Sequence, residues 1–182
     1  MSPVKRSTRL AAPALAVALA LSACTGTEMR DGAVINGTTF SMDEVQESVA
    51  QINAVAANPV DVRQIVYEAA VVPLIDEAFT SSPYAVTDGQ LRTTMREAGL
   101  ADEPNPLALD SARFRHYAAI LQAPGIMEDP AMQPVVAQLN AVTQQDIMDL
   151  DVEVNPRFGT WDPEQGGVVA EVPAWISQSS TS

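Results

Sequence analysis

The sequence predicts a mainly α domain with a small two- or three-stranded β-sheet, set behind an N-terminal targeting segment. Three observations carry this expectation. Apolar residues recur at helical spacing in five stretches between residues 41 and 145. Ser41-Met42-Asp43-Glu44 and Thr87-Asp88-Gly89-Gln90 each place a hydroxyl three residues before a Glu or Gln, the signature of a capped helix start. Asn36-Gly37 between β-prone residues marks a hairpin, because a type I′ turn needs positive φ at both central positions.

Residues 1–23 read as an address and stand apart from the fold. Lys5, Arg6 and Arg9 form a positive region, and Leu10 to Leu21 form an apolar run. That run is shorter than the roughly 20 residues a bilayer-spanning helix needs. Leu21-Ser22-Ala23-Cys24 follows, which resembles the bacterial lipobox. A Cys thiolate is a natural nucleophile for a thioether to diacylglycerol, and small residues before it let the peptide enter a signal peptidase. The expected cut lies between Ala23 and Cys24, and the expected first partner is a lipid bilayer reached through diacylglyceryl-Cys24. The other reading is an ordinary secretory signal with a chance cysteine. A single acyl chain anchors only marginally, each buried CH₂ adding about 0.8 kcal/mol, so two chains suffice where one does not. The expected location is the extracytoplasmic face of a cell membrane.

Residues 24–32 read as a tether, 33–176 as the domain and 177–182 as a disordered Ser/Thr/Gln tail. The hairpin strands around Asn36-Gly37 are expected to be about three residues each. The helix after Ser41 places Val45, Val49, Ile52 and Ala56 on one stripe and ends before Asn58-Pro59. A second helix starts near Val60-Asp61. Pro73 is expected to kink or break it, since proline removes a backbone donor and clashes with the preceding turn; the pattern resumes through Phe79. The helix opened by Thr87 runs to Ala98, with Gly99 just past its end. A fourth helix spans about 107–122 and presents Phe114, Tyr117, Ala118 and Leu121; Pro124-Gly125 stops it. A fifth runs from about Pro130 to Gln145 with Val135, Val136, Leu139 and Val142. Asp149 to Val154 alternates strictly, so it reads as a half-buried strand paired with the N-terminal hairpin. Asn155 to Pro163 is turn-rich, and Gly166-Gly167 precedes Val168-Val169.

Composition excludes several function classes. The chain has 182 residues, with 10 Lys+Arg against 23 Asp+Glu, one His and one Cys. A pI near 4.2 leaves no Lys/Arg surface for phosphates, so no nucleic-acid partner is expected. Losing residues 1–23 removes three basic groups and no acid, which leaves seven arginines against 23 acids and a net charge of about −16. The lipid, not a basic patch, would therefore attach the chain to a membrane. One His and one Cys leave no material for a two-His zinc site or a cysteine cluster. No G-x-S-x-G elbow, P-loop or dinucleotide fingerprint occurs. His116, among Arg113, Arg115 and Tyr117, reads as a surface or packing residue. Asp149, Asp151, Glu153 and Asn155 recur at every second position, which hints at calcium; they lack the Gly turn and distal Glu of an EF-hand and read as one solvated face of a strand. No catalytic residue, metal or cofactor is expected.

Three segments together resemble a known family. They are Val34-Ile35-Asn36-Gly37-Thr38 leading into the Ser41-capped helix, Val86-Thr87-Asp88-Gly89-Gln90-Leu91, and Val154-Asn155-Pro156-Arg157-Phe158-Gly159-Thr160-Trp161-Asp162-Pro163. With the lipobox they resemble the SurA N-terminal-domain-like lipoproteins of actinobacteria, over roughly residues 33–176. The resemblance implies a helical peptide-binding module related to SurA, PrsA and the trigger-factor C-terminal domain, in which the two ends of the chain combine into one domain. Longer relatives add a parvulin-type prolyl isomerase. This chain has neither the room nor the Cys and His residues for one, so isomerase activity is not implied. The expected function is chaperone-like holding of unfolded or secreted polypeptides; the alternative is an envelope scaffold for one dedicated protein partner. Holding needs exposed apolar surface. Tyr67, Phe79, Phe114 and Tyr117 are the expected peptide contacts, with Met95 and Met127 as adaptable neighbours. Trp161 and Trp175 are expected to pin the C-terminal segment onto the helices.

Overall fold

Asn36 and Gly37 reverse the chain with φ of 50° and 78°, the positive pair that a type I′ turn demands. The structure, a computed structural model, describes residues 31–170. Ala23, Cys24 and Trp175, the cleavage site and the expected tail lie outside the described residues. Strand β1 (Asp31–Ile35) pairs antiparallel with β2 (Thr38–Ser41). Both are longer than expected, and β1 starts two residues inside the expected tether.

Ser41 then opens α1 (Met42–Val55) with the expected reciprocal cap. The Glu44 backbone N–H donates to Ser41 Oγ at 3.2 Å, and the Ser41 N–H donates to Glu44 Oε2 at 2.8 Å. That backbone bond holds the Glu44 carboxyl below its usual range. Val45 and Ile52 of the predicted stripe are buried; Val49 and Ala56 pack at its edge. Asp61 caps α2 (Val62–Phe79), which continues across Pro73 without the expected break. The hairpin turn lies against the helix there, and Asn36 Nδ2 donates to the Ala70 carbonyl at 3.2 Å.

Thr87 caps α3 (Asp88–Glu97) and Asn105 caps α4 (Pro106–Leu121), close to the predicted bounds. The predicted fifth helix is divided. A 3₁₀ turn (Pro130–Met132) leads into α5 (Gln133–Ala141), and a separate α6 (Gln144–Met148) follows. Thr143 and Asp146 form a capping box of their own, which restarts the helix.

The expected strand 149–154 shortens to β3 (Val152–Val154), because Asp149 ends α6. Its partner is the expected one: β3 runs antiparallel to β1, with Ile35 opposite Val152 and Ala33 opposite Val154. The sheet order is β2-β1-β3. Asp149, Asp151 and Glu153 are exposed as expected, but Asn155 does not share their solvated face. Asn155 is buried, donating from Nδ2 to the Asp31 carbonyl at 2.8 Å and from its backbone N–H to Gly32 at 3.0 Å. A second sheet, unforeseen in the turn-rich segment, pairs β4 (Thr160–Asp162) with β5 (Gly167–Val169).

Helices hold 56% of the described residues, so the architecture is mixed α and β with helices in the majority. One apolar cluster joins the first sheet to α1, α2, α3 and α4; a second gathers Phe79, Tyr117, Met132 and Val135 where α5 meets α2 and α4. No helix among the described residues is long and apolar enough to cross a membrane.

Candidate functional site

The four aromatic residues expected to hold peptide are not gathered on an open surface. Phe79 and Tyr117 are core residues, 0% and 1% exposed, stacked with ring centroids 4.1 Å apart. Tyr67 meets Phe114 edge-on at 6.2 Å and stacks on Trp161 at 6.4 Å. The β4–β5 hairpin therefore lies over Tyr67, with Trp161 pinning it as expected. Gly167 permits this approach: it has φ of 127°, and a Cβ there would stand 2.8 Å from Tyr67 Cδ2.

The exposed apolar surface lies elsewhere. α3 packs chiefly on α4 and stands off α1. Its own apolar face is narrow, with only Leu91 and Met95 buried. The gap is a groove of about 470 Å³, bounded by Ile52 and Val55 of α1, Leu91 and Met95 of α3, and Ala112 and Ala119 of α4. Asn58, Thr94, Ala98 and Ala119 form exposed parts of its edge. This volume is in the range of ligand-binding clefts. Among the expected peptide contacts and their adaptable neighbours, Met95 alone reaches it; Met127 stands apart and is exposed. The groove was illegible in sequence because its walls are small and apolar, like any helix core.

Two polar side chains of α4, Arg115 and His116, also line the groove. Arg115 is held by Glu68 of α2, with Nε donating to Oε2 at 3.0 Å and Nη2 to Oε1 at 2.7 Å. Glu68 is 2% exposed and also accepts from Ser111 Oγ and, at 3.0 Å, from Gln64 Nε2. Both oxygens of this buried carboxylate thus accept hydrogen bonds, as burial requires. His116 lies edge-on to the Tyr117 ring at 5.7 Å, and burial lowers its pKa, so the imidazole is neutral near pH 7. His116 and Thr94 also border a wider hollow of about 770 Å³ beside the start of α3.

A second ionic cluster on α4 surrounds Arg113 on the opposite side of the helix. Its guanidinium pairs with Asp88, lies 3.6 Å from Asp76 and 3.7 Å from Asp110. Burial pushes Asp110 up to about 6, opposed by Arg113 and aided by repulsion from Asp88 and Asp76. Burial, then the bond donated to Asp76 Oδ1 at 2.7 Å, pushes the Tyr117 hydroxyl up to about 12. Arg113 stands among these carboxylates, and no group of three His, Cys, Asp or Glu among the described residues is placed to hold a metal ion.

No protein-family model, no curated protein and no solved structure matches the chain.

Proposed function

We propose that the chain is a lipid-anchored protein of the extracytoplasmic membrane face that holds apolar segments of unfolded or secreted polypeptides, without catalysis. The observation that carries this is the groove of about 470 Å³ between α1, α3 and α4, apolar on its walls and exposed along its edge. Short apolar side chains of a client can enter it and leave water, which gives binding by area without a demanding sequence. The antiparallel pairing of β1 with β3 joins the two ends of the domain, and this supports kinship with the SurA N-terminal frame. Cys24 would supply the anchor and the high negative charge would keep the domain off anionic headgroups.

The test is suppression of aggregation. The native chain is mixed with a chemically unfolded client and light scattering is followed. Reduced scattering at several-fold excess, lost on Ala119→Trp, is expected; unchanged scattering sinks the holding function. Crosslinking in cells separates many weak clients from one dedicated partner, which would select the scaffold. Mass spectrometry of the native N-terminus reports diacylglycerol on Cys24, and an unmodified thiol removes the anchor.

A further inference from the structure

Apolar packing alone does not call for Arg115 beside the groove. Its side chain keeps 28% exposure, whereas its partner Glu68 keeps 2%. Arg115 thus lines the groove while its guanidinium is bound to a buried carboxylate. Two bonds to Glu68 fix its plane and engage Nε and Nη2. Nη1 has no hydrogen bond to any described residue.

Its charge is already cancelled by Glu68. A fixed donor without net charge, in apolar surroundings, suits a neutral acceptor. A main-chain carbonyl is one. A carboxylate would lose its hydration to meet a cation already satisfied, against a domain whose acids outnumber its arginines 23 to seven after residue 23. His116 adds no positive charge near pH 7, since burial lowers its pKa.

Resting on the peptide-holding function, we infer that the groove selects uncharged apolar polypeptide segments over acidic ones, with Arg115 as its specificity-determining residue. Nη1 donates to a main-chain carbonyl of the held segment, and Glu68 masks the charge that would otherwise attract carboxylates.

The test uses the native full chain, carried in zwitterionic nanodiscs if acylated. The probes are two dye-labelled peptides with blocked ends. One is built of Leu, Val, Ala and Gly; its twin has two Asp in place of two Ala. Anisotropy titration is expected to show the neutral peptide bound about tenfold more tightly. Glu68→Gln unmasks Arg115 and is expected to bring that ratio below about threefold, chiefly by tighter binding of the acidic twin. A ratio that stays near tenfold in folded Glu68→Gln overturns the inference, as does a wild-type chain with no preference. Because Glu68→Gln leaves a cation half-buried and can fail to fold, Glu68→Gln/Arg115→Met is measured beside it. This pair carries no buried charge and is expected to bind the neutral peptide about tenfold more weakly, having lost the donor; unchanged affinity overturns the assignment. Ala119→Trp fills the groove and is expected to abolish binding of both peptides. If it does not, or if the wild type binds neither, the holding function falls and the inference with it. If it does while Glu68→Gln keeps the ratio, only the role of Arg115 falls.

Discussion

Asp110→Asn is expected to stabilise the protein at neutral pH and to leave it unchanged below about pH 4. Asp110 sits on α4 with Asp76 and Asp88 nearby and Arg113 at 3.7 Å, and its folded pKa is raised to about 6. Unfolded, it titrates at about 4. Between these values the native state binds more protons, so its stability contribution is complete below about pH 4 and is lost as pH rises through 6. The full shift corresponds to about 3 kcal/mol, but the side chain is 36% exposed and solvent screens it. After that discount, ionised Asp110 costs the native state about 1 kcal/mol at pH 7.5, and Asn avoids the cost. Urea unfolding followed by circular dichroism, for wild type and variant at pH 7.5 and pH 3.5, measures it. His116 opposes the trend, since its pKa is lowered and its stability contribution falls as pH drops below about 6.5. It is common to both proteins and cancels in their difference. A variant that is less stable at pH 7.5, or whose advantage is equal at both pH values, would refute the assignment of the raised pKa.

Phe79→Ala removes a fully buried ring stacked on Tyr117 and should cost about 3–5 kcal/mol in the same unfolding assay. Arg115→Met alone strands the buried Glu68 charge and should cost about 3–5 kcal/mol, whereas the pair with Glu68→Gln should recover most of that loss; a double-mutant cycle reads the difference. Gly167→Val forces a Cβ onto Tyr67 at a positive φ and should detach the β4–β5 hairpin, raising exposure of Trp161 to acrylamide quenching.

Local chemistry made much of the fold legible. Asn36-Gly37, Ser41 with Glu44, and Thr87 with Gln90 each satisfy their backbone within four residues, so their neighbours in sequence suffice to identify them. Thr143 with Asp146 obeys the same chemistry but lay inside an apolar run that reads as one continuous helix. Alternation at 149–154 was a partial signal: Asp149 is taken by the end of α6, and Asn155 turns inward to bond Asp31. Two of the expected peptide contacts, Phe79 and Tyr117, lie in the core for a plainer reason. Phe79 and Tyr117 are large and apolar, and sequence does not separate a core ring from an exposed one. The groove depends on how far α3 stands from α1, and the Glu68–Arg115 pair joins positions 47 apart. Neither leaves a spacing to read.

The middle strand of the first sheet has its two partners at very different times. β2 is at hand once residue 41 has emerged, while β3 arrives only with residues 152–154. A chain made from its N-terminus therefore presents one bare edge of β1 until nearly the whole domain has emerged. Closure of that edge is a late, long-range step. A protein with this wiring carries an open strand edge through most of its own synthesis.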